Sequence, residues 1–432
     1  MKRFVAIFIL FLLPVCARAQ AADTETRELI ARLLARIDTL EQRVTELEKG
    51  RDPKTPAVPA ARQAPAEATA AHLHEQAPGP ETPTSEAAQP VYPSLKLSGF
   101  GDVNFSATNL HGTSGGFGPQ TLLAPHSGFA LGQTTLHLTS ALSPKVSFFG
   151  ELTFTARTDA GTGSPSAPGF NPEVERLILR YDANDYFKIS FGRYHTPVNY
   201  WNTAFHHGQW LQTTISRPEM TQFGGAFIPV HFIGTLVEGA VPAGGLNLNY
   251  NFGLGNGRGQ VIGRGGDAGD INNNRAWLVN LFVKPNLPYG IQVGGSVYRD
   301  RLNPIGGQAA GEWIESAHIV WQKETPEFLA EFANVTHQPV FGRSRNSQAW
   351  YVQAAYRLPW FERLWKPYYR IEQIHVPRSD ATFRAVPTFT GSTAGVRYDF
   401  SSLAAFKLEY RYYWLRDSAP VKGIFAQTSF TF

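Results

Sequence analysis

The chain has 432 residues, of which 17% are charged and 13% aromatic, with 40 Gly, 30 Pro and a single Cys. One cysteine excludes both a disulfide framework and a Cys-ligated metal centre. The slightly polar mean hydropathy excludes a bundle of apolar transmembrane helices. A formal net charge of +4 is too small to indicate nucleic-acid binding.

Met1-Lys2-Arg3 is a basic start, Phe4 to Val15 is almost wholly apolar, and Ala17-Arg18-Ala19 is a small-x-small site. Together they read as a secretory signal peptide over residues 1–19. Lipidation at Cys16 is the weaker alternative, because Val15 is larger than the residue such a site places there. The apolar run is too short to span a bilayer as a helix. Export therefore points to the periplasm, the exterior or an outer membrane.

Residues 23–50 carry three heptads. Ile30, Ile37 and Val44 occupy a, and Leu33, Leu40 and Leu47 occupy d. Arg36 and Arg43 fall at g, with Glu41 and Glu48 at the following e positions, so ion pairs can cross a parallel interface. The Arg36-Ile37-x-x-Leu40-Glu41 unit repeats as Arg43-Val44-x-x-Leu47-Glu48. It resembles the arginine–glutamate pattern of short parallel trimeric coiled coils, which implies a homotrimer. Residues 51–93 are rich in Pro, Ala, Glu and Gln and lack an apolar face, so they form a semi-extended tether. His72 and His74 lie in it as a solvated pair.

From residue 94 the texture changes to segments of about ten alternating residues. The clearest has Phe406, Leu408, Tyr410, Tyr412 and Trp414 on one face and Lys407, Glu409 and Arg411 on the other. Sixteen strands are predicted, at 95–106, 129–142, 145–157, 174–183, 186–193, 232–241, 245–253, 275–285, 290–301, 312–323, 327–338, 347–358, 363–376, 389–400, 403–416 and 421–432. Short turns alternate with long loops, the signature of an outer-membrane barrel. Lipid cannot satisfy backbone polar groups, so the sheet must close. Trp277, Trp313, Trp350, Trp360, Trp365 and Trp414 fall near predicted strand ends, as interfacial girdles would. The predicted fold is all-β, a 16-stranded antiparallel transmembrane β-barrel over residues 94–432, preceded by an α-helical coiled coil.

A barrel this wide leaves an aqueous channel, and function follows from what narrows it. The third long loop, 194–231, follows strand five and has the longest span. It reads His195-Thr196-Pro197-Val198-Asn199-Tyr200-Trp201-Asn202, then Phe205-His206-His207-Gly208-Gln209-Trp210, then Ser216-Arg217-Pro218-Glu219. So many aromatics suit a packed, inward-folded loop. With this loop and the terminal Phe432, the chain resembles the trimeric bacterial porins, whose third loop folds into the lumen. It is most similar to the sixteen-stranded substrate-selective porins, such as the phosphate-selective porins and the dicarboxylate porins with an N-terminal coiled coil. The resemblance implies a constriction built from His195, Asn199, His206, His207, Gln209, Arg217 and Glu219. Some of His206, His207, Gln209 and Arg217 are expected to face the pore. Adjacent His206 and His207 make a poor metal site, because neighbours in an extended chain point oppositely.

Strand parity turns Leu177, Leu179, Tyr181, Phe187, Ile189, Phe191, Val352, Ala354 and Tyr356 to lipid. It assigns Arg176, Arg180, Lys188, Arg357, Arg370, Arg397, Lys407 and Arg411 to the pore wall. Glu151, Glu331, Glu372, Asp399 and Glu409 share that face. From Leu95 to Phe432, 28 Lys and Arg stand against 23 Asp and Glu, so the channel leans to anions. The oxygen-rich loop at 263–272 lacks the repeats of a calcium-binding β-roll. A barrel enzyme would need a nucleophile motif, which the sequence does not offer; a structural tether is the other alternative. The expected protein is a non-enzymatic outer-membrane porin without cofactor or metal, its coiled coil in the periplasm, embedded in outer-membrane lipid and passing small hydrophilic or anionic solutes.

Overall fold

The computed structural model describes residues 92–109, 128–156, 170–205, 207–222, 227–241 and 244–432. The expected signal peptide, the coiled coil from Ile30 to Glu48, nearly all of the linker, and His206 lie outside the described residues. Sixteen strands follow in chain order: β1 (Ser94–Thr108), β2 (Gly128–Ala141), β3 (Val146–Ala156), β4 (Phe170–Asn184), β5 (Phe187–His195), β6 (His231–Val241), β7 (Leu248–Asn256), β8 (Ala276–Val283), β9 (Ile291–Leu302), β10 (Ala310–Gln322), β11 (Glu327–Pro339), β12 (Arg345–Ala355), β13 (Trp365–His375), β14 (Phe389–Ser401), β15 (Ala404–Leu415) and β16 (Val421–Thr431). Each pairs antiparallel with its neighbours in sequence, and β1 pairs with β16, so the sheet closes. The closing seam runs from Phe100 opposite Thr431 to Thr108 opposite Gly423. Beyond it, Gly99 and Phe432 exchange backbone hydrogen bonds of 2.9 and 3.1 Å. Among the described residues no helix is long and apolar enough to cross a membrane.

The alternation predicted from sequence becomes an inside-out burial pattern. On β15, Phe406, Leu408, Tyr410 and Trp414 are 41–53% exposed, while Lys407, Glu409 and Arg411 are at most 2% exposed. A soluble sheet buries its apolar face; here the apolar face is outermost, where lipid would cover it. Leu177, Leu179, Tyr181, Phe187 and Phe191 point the same way.

Three local features depart from the sequence reading. Residues 244–246 form a 3-10 turn, so β7 starts three residues later than expected. β12 ends at Ala355, not 358, where the Arg357 N–H donates to the Glu324 carbonyl (2.6 Å) of the turn between β10 and β11. Arg357 is therefore a rim residue, paired to Glu324 at 2.8 Å and to Asp399, instead of a wall residue within a strand. Trp350 sits mid-strand, donating to Gln373 at 3.1 Å, and not in a girdle.

Gly192 marks the fourth irregularity. Below it, β5 alternates as expected; above it, Arg193, Tyr194 and His195 are all buried in succession. Its φ is +146°, and a Cβ there would stand 1.8 Å from the Leu177 carbonyl oxygen of β4. Only glycine allows that approach. Gly192→Ala should therefore destabilise the barrel by about 1–3 kcal/mol. Gly245→Ala, where the nearest atom would be 3.8 Å away, should stay within about 0.5 kcal/mol. Urea unfolding in detergent micelles measures both, and equal midpoints would refute the close approach.

Candidate functional site

The described residues of the segment 196–230, between β5 and β6, fold inside the barrel. Val198, Trp201, Ile215 and Ile228 are fully buried, and Met220 and Phe227 nearly so. Each such side chain contributes about 1.5–3 kcal/mol, so the loop is held as firmly as a small core. A single helical turn, Trp201–Ala204, starts it. Trp201 packs edge-on against Tyr351 of β12 at 5.9 Å, and its backbone N–H donates to Glu331 of β11 at 2.7 Å. Asn199 adopts φ 64° and donates to the Phe332 carbonyl at 3.4 Å.

Polar contacts strap the loop to the opposite wall. On β15, Glu409 accepts from the Ile215 N–H (2.9 Å) and the Ser216 hydroxyl (2.7 Å). On β13, Arg370 donates to the Ser216 carbonyl (2.8 Å), the Ser216 hydroxyl (2.6 Å) and the Arg217 carbonyl (3.1 Å), while pairing with Glu372 at 3.0 Å. Glu372 accepts the Glu219 N–H at 2.7 Å. Arg397 of β14 donates to the Trp210 and Gln212 carbonyls at 2.6 and 3.0 Å. Lys407 donates to the Gln209 carbonyl and to that of Thr214 at 3.2 Å. A peptide segment crossing a lumen brings carbonyls with no ladder to join, and wall cations are the donors that satisfy them.

The cations assigned to the pore wall thus divide by task. Arg370, Arg397 and Lys407 lie on the inner face but beneath the loop, as its anchors. Arg411 pairs with Glu409 at 2.5 Å and lies over the Phe425 ring. Arg176 pairs with Glu151 at 2.6 Å; Arg180 pairs with Asp182 at 2.6 Å and Glu238 at 2.9 Å. Lys188 is half-buried, opposite Glu238 in register. The loop residues expected to face the pore are also packed: His207, Gln209 and Arg217 are each at most 5% exposed. The loop's aromatics pack it against the wall, as Trp201 does on Tyr351, and wall side chains meet its polar groups.

The residues that sequence reasoning missed lie where β3 to β6 meet the loop. A register shift after Glu151, paired to Arg176, leaves Glu175 as an extra residue on β4. Glu175 and Arg176 are both buried as a result. Glu175 approaches His207 Nε2 at 3.2 Å, His231 Nε2 at 2.6 Å and Arg193 at 3.4 Å. His195, placed in the loop by sequence, is the last residue of β5, 3.7 Å from Glu151. Arg193 also pairs with Glu173 at 3.1 Å and with Asp267 of the oxygen-rich loop at 2.9 Å. An alternation rule cannot find a bulge; three histidines at the ends of adjoining segments were the available signal. At the mouth, Phe383 packs on Phe227 at 5.3 Å, and Arg258 donates to the Phe227 carbonyl at 2.8 Å and pairs with Glu312 at 2.8 Å. His337 joins Glu312 (3.1 Å) to Asp380 (2.9 Å) above it.

Burial and the neighbouring Glu372 carboxylate push the Glu219 carboxyl up to about 8 from the ordinary 4.5. The folded loop therefore holds Glu219 neutral. An acid raised on folding contributes stability that is full below pH 4.5 and drains as pH rises to about 8. Wild type should lose barrel stability across that window, and Glu219→Gln should lose less. Unfolding midpoints at four pH values check this; parallel curves would sink it.

No protein-family model matches the chain, and no curated protein matches it. Solved structures similar to it include an anion-selective porin from Comamonas acidovorans, at 12% identity, covering 79% of this chain and 100% of that one with a TM-score of 0.55. The outer membrane channel DcaP of Acinetobacter baumannii is similar at 11% identity, covering 79% of this chain and 97% of that one with a TM-score of 0.51. At such identities the likeness is one of fold: the chain carries the closed sixteen-stranded barrel of the porins.

Proposed function

We propose that the protein is an outer-membrane porin through which small hydrophilic solutes diffuse passively, with a lean toward anions. The observation that carries this reading is that the described residues of 196–230 fold inside a closed barrel of sixteen strands. A wall of that size is too wide to be filled by its own side chains, so the loop sets the aperture. The lean to anions rests on the cation surplus of the barrel sequence. That surplus is only five charges, and wall carboxylates pair with most of the wall cations, which keeps the lean modest.

The finer assignments belong to the same reading. A signal peptide at 1–19 directs export, and the heptads at 23–50 join three chains in a parallel coiled coil. The coiled coil lies in the periplasm, on the side of the short turns where both ends of an even-stranded barrel emerge. The tether at 51–93 links it to the barrels. The protein is a channel, not an enzyme, and each subunit has its own pore.

Purified protein in a planar bilayer under a salt gradient should show steps in threes and a reversal potential on the anion side. A cation-side potential would keep the channel but overturn its selectivity; silence would overturn the channel. Arg370→Met removes the Ser216 and Arg217 anchors and leaves Glu372 without its cation. It should cost about 3–5 kcal/mol of loop and wall stability and raise unit conductance. Unchanged conductance in a folded Arg370→Met barrel would show that the loop is not the constriction. Deleting residues 23–50 should lower the temperature at which trimers dissociate on semi-native gels, and an unchanged profile would count against a trimeric clamp.

A further inference from the structure

We propose that Glu175, His195 and His207 bind a divalent transition metal of the zinc type, which clamps the lumenal loop to the barrel wall. One ligand atom from each of the three lies within 4.8 Å of the others, and all three residues are buried. They come from three different segments: the bulge of β4, the end of β5 and the loop. Two imidazole nitrogens and one carboxylate oxygen are a ligand set that zinc, nickel and copper accept, with a further position open to water. Ligands about 2.0–2.1 Å from a tetrahedral ion stand about 3.3 Å apart. The His207 Nε2 to Glu175 Oε1 separation of 3.2 Å already has that spacing.

Tautomers argue in the same direction. Gln133 donates its amide to Thr155 and turns its Oε1 toward His207 Nδ1, both at 3.2 Å. That oxygen can only accept, so His207 Nδ1 carries a hydrogen. His207 Nε2 is then the ring nitrogen directed at the Glu175 oxygen, the atom that would ligate a metal ion. The surrounding shell is built for the carboxylate. Arg193 Nη2 donates to His231 Nδ1 at 3.0 Å, which leaves His231 Nε2–H to donate to Glu175 Oε2 at 2.6 Å. A ligating carboxylate held by a second-shell donor, and a ligating histidine held through its other nitrogen, are the outer partners that metal sites use. Arg176 is engaged with Glu151, whose carboxylate lies 3.7 Å from His195. The partner of His207 in this site is thus not its neighbour His206, on which the sequence expectation of no metal turned, but residues brought near by the barrel.

The clamp goes beyond the channel reading and would stand in a barrel of any function. Untagged protein, folded in detergent and stripped with chelator, is titrated with zinc by calorimetry. One ion per chain is expected, with affinity falling by about tenfold or more in Glu175→Gln and in His207→Gln. His375→Gln, on an exposed histidine of β13, should bind as wild type does. Folding of each variant is checked by heat-modifiable gel mobility. If a variant fails to fold, X-ray absorption on zinc-loaded wild type decides, two imidazoles with an oxygen shell supporting the site and one or none overturning it. No stoichiometric uptake by folded wild type would also overturn it, as would Glu175 and His207 variants that bind zinc unchanged.

Discussion

A sheet placed in hydrocarbon has no water to satisfy its edges, and the seam between β1 and β16 answers that constraint. Once the sheet closes, each strand has one face to lipid and one to the lumen, and the period of two becomes a radial sorting of residues. The terminal pair of hydrogen bonds between Gly99 and Phe432 extends the seam to the last residue. A Cβ at Gly99 would meet the Phe432 ring at 2.5 Å, so the same glycine makes room for the terminal aromatic.

Radial sorting also explains why so many charges can be buried. Glu151, Glu312, Glu409, Arg370 and Lys407 are at most 1% exposed, which in a soluble core would be costly unless each were paired. Here each has a partner of opposite charge or a row of peptide carbonyls. The lumenal loop depends on this economy. Its peptide groups have left the ladder, and the wall returns the lost hydrogen bonds from side chains.

Most of the fold was legible because lipid imposes a simple code. All sixteen strands overlap the segments that alternation marks, and the described residues of the loop after strand five turn inward. What could not be read were positions where a single backbone atom overrides the code. Glu175 is an insertion of one residue, invisible to parity. Gly192 ends the alternation of β5 because of one carbonyl on β4. Arg357 looks like a strand residue until Glu324, from another turn, takes its N–H. At the site, the residue types were legible and their directions were not. His207 and Arg217 advertise a polar pore, yet Trp201, Met220 and Ile215 nearby decide that the loop packs down on them.

The straps between loop and wall also impose an order of events. The loop is made early in the chain, but its anchors Arg370, Arg397, Lys407 and Glu409 come from β13 to β15. The residues they join lie between 153 and 198 positions apart. Contacts of such sequence separation form late, after the loop-closure entropy has been met by other means. A barrel lacking its last strands therefore holds a partly docked loop, with the peptide groups of 209–217 bare and Trp210 without Arg397. Docking finishes only when the wall is nearly complete, so the same segment that narrows the lumen also locks the finished assembly.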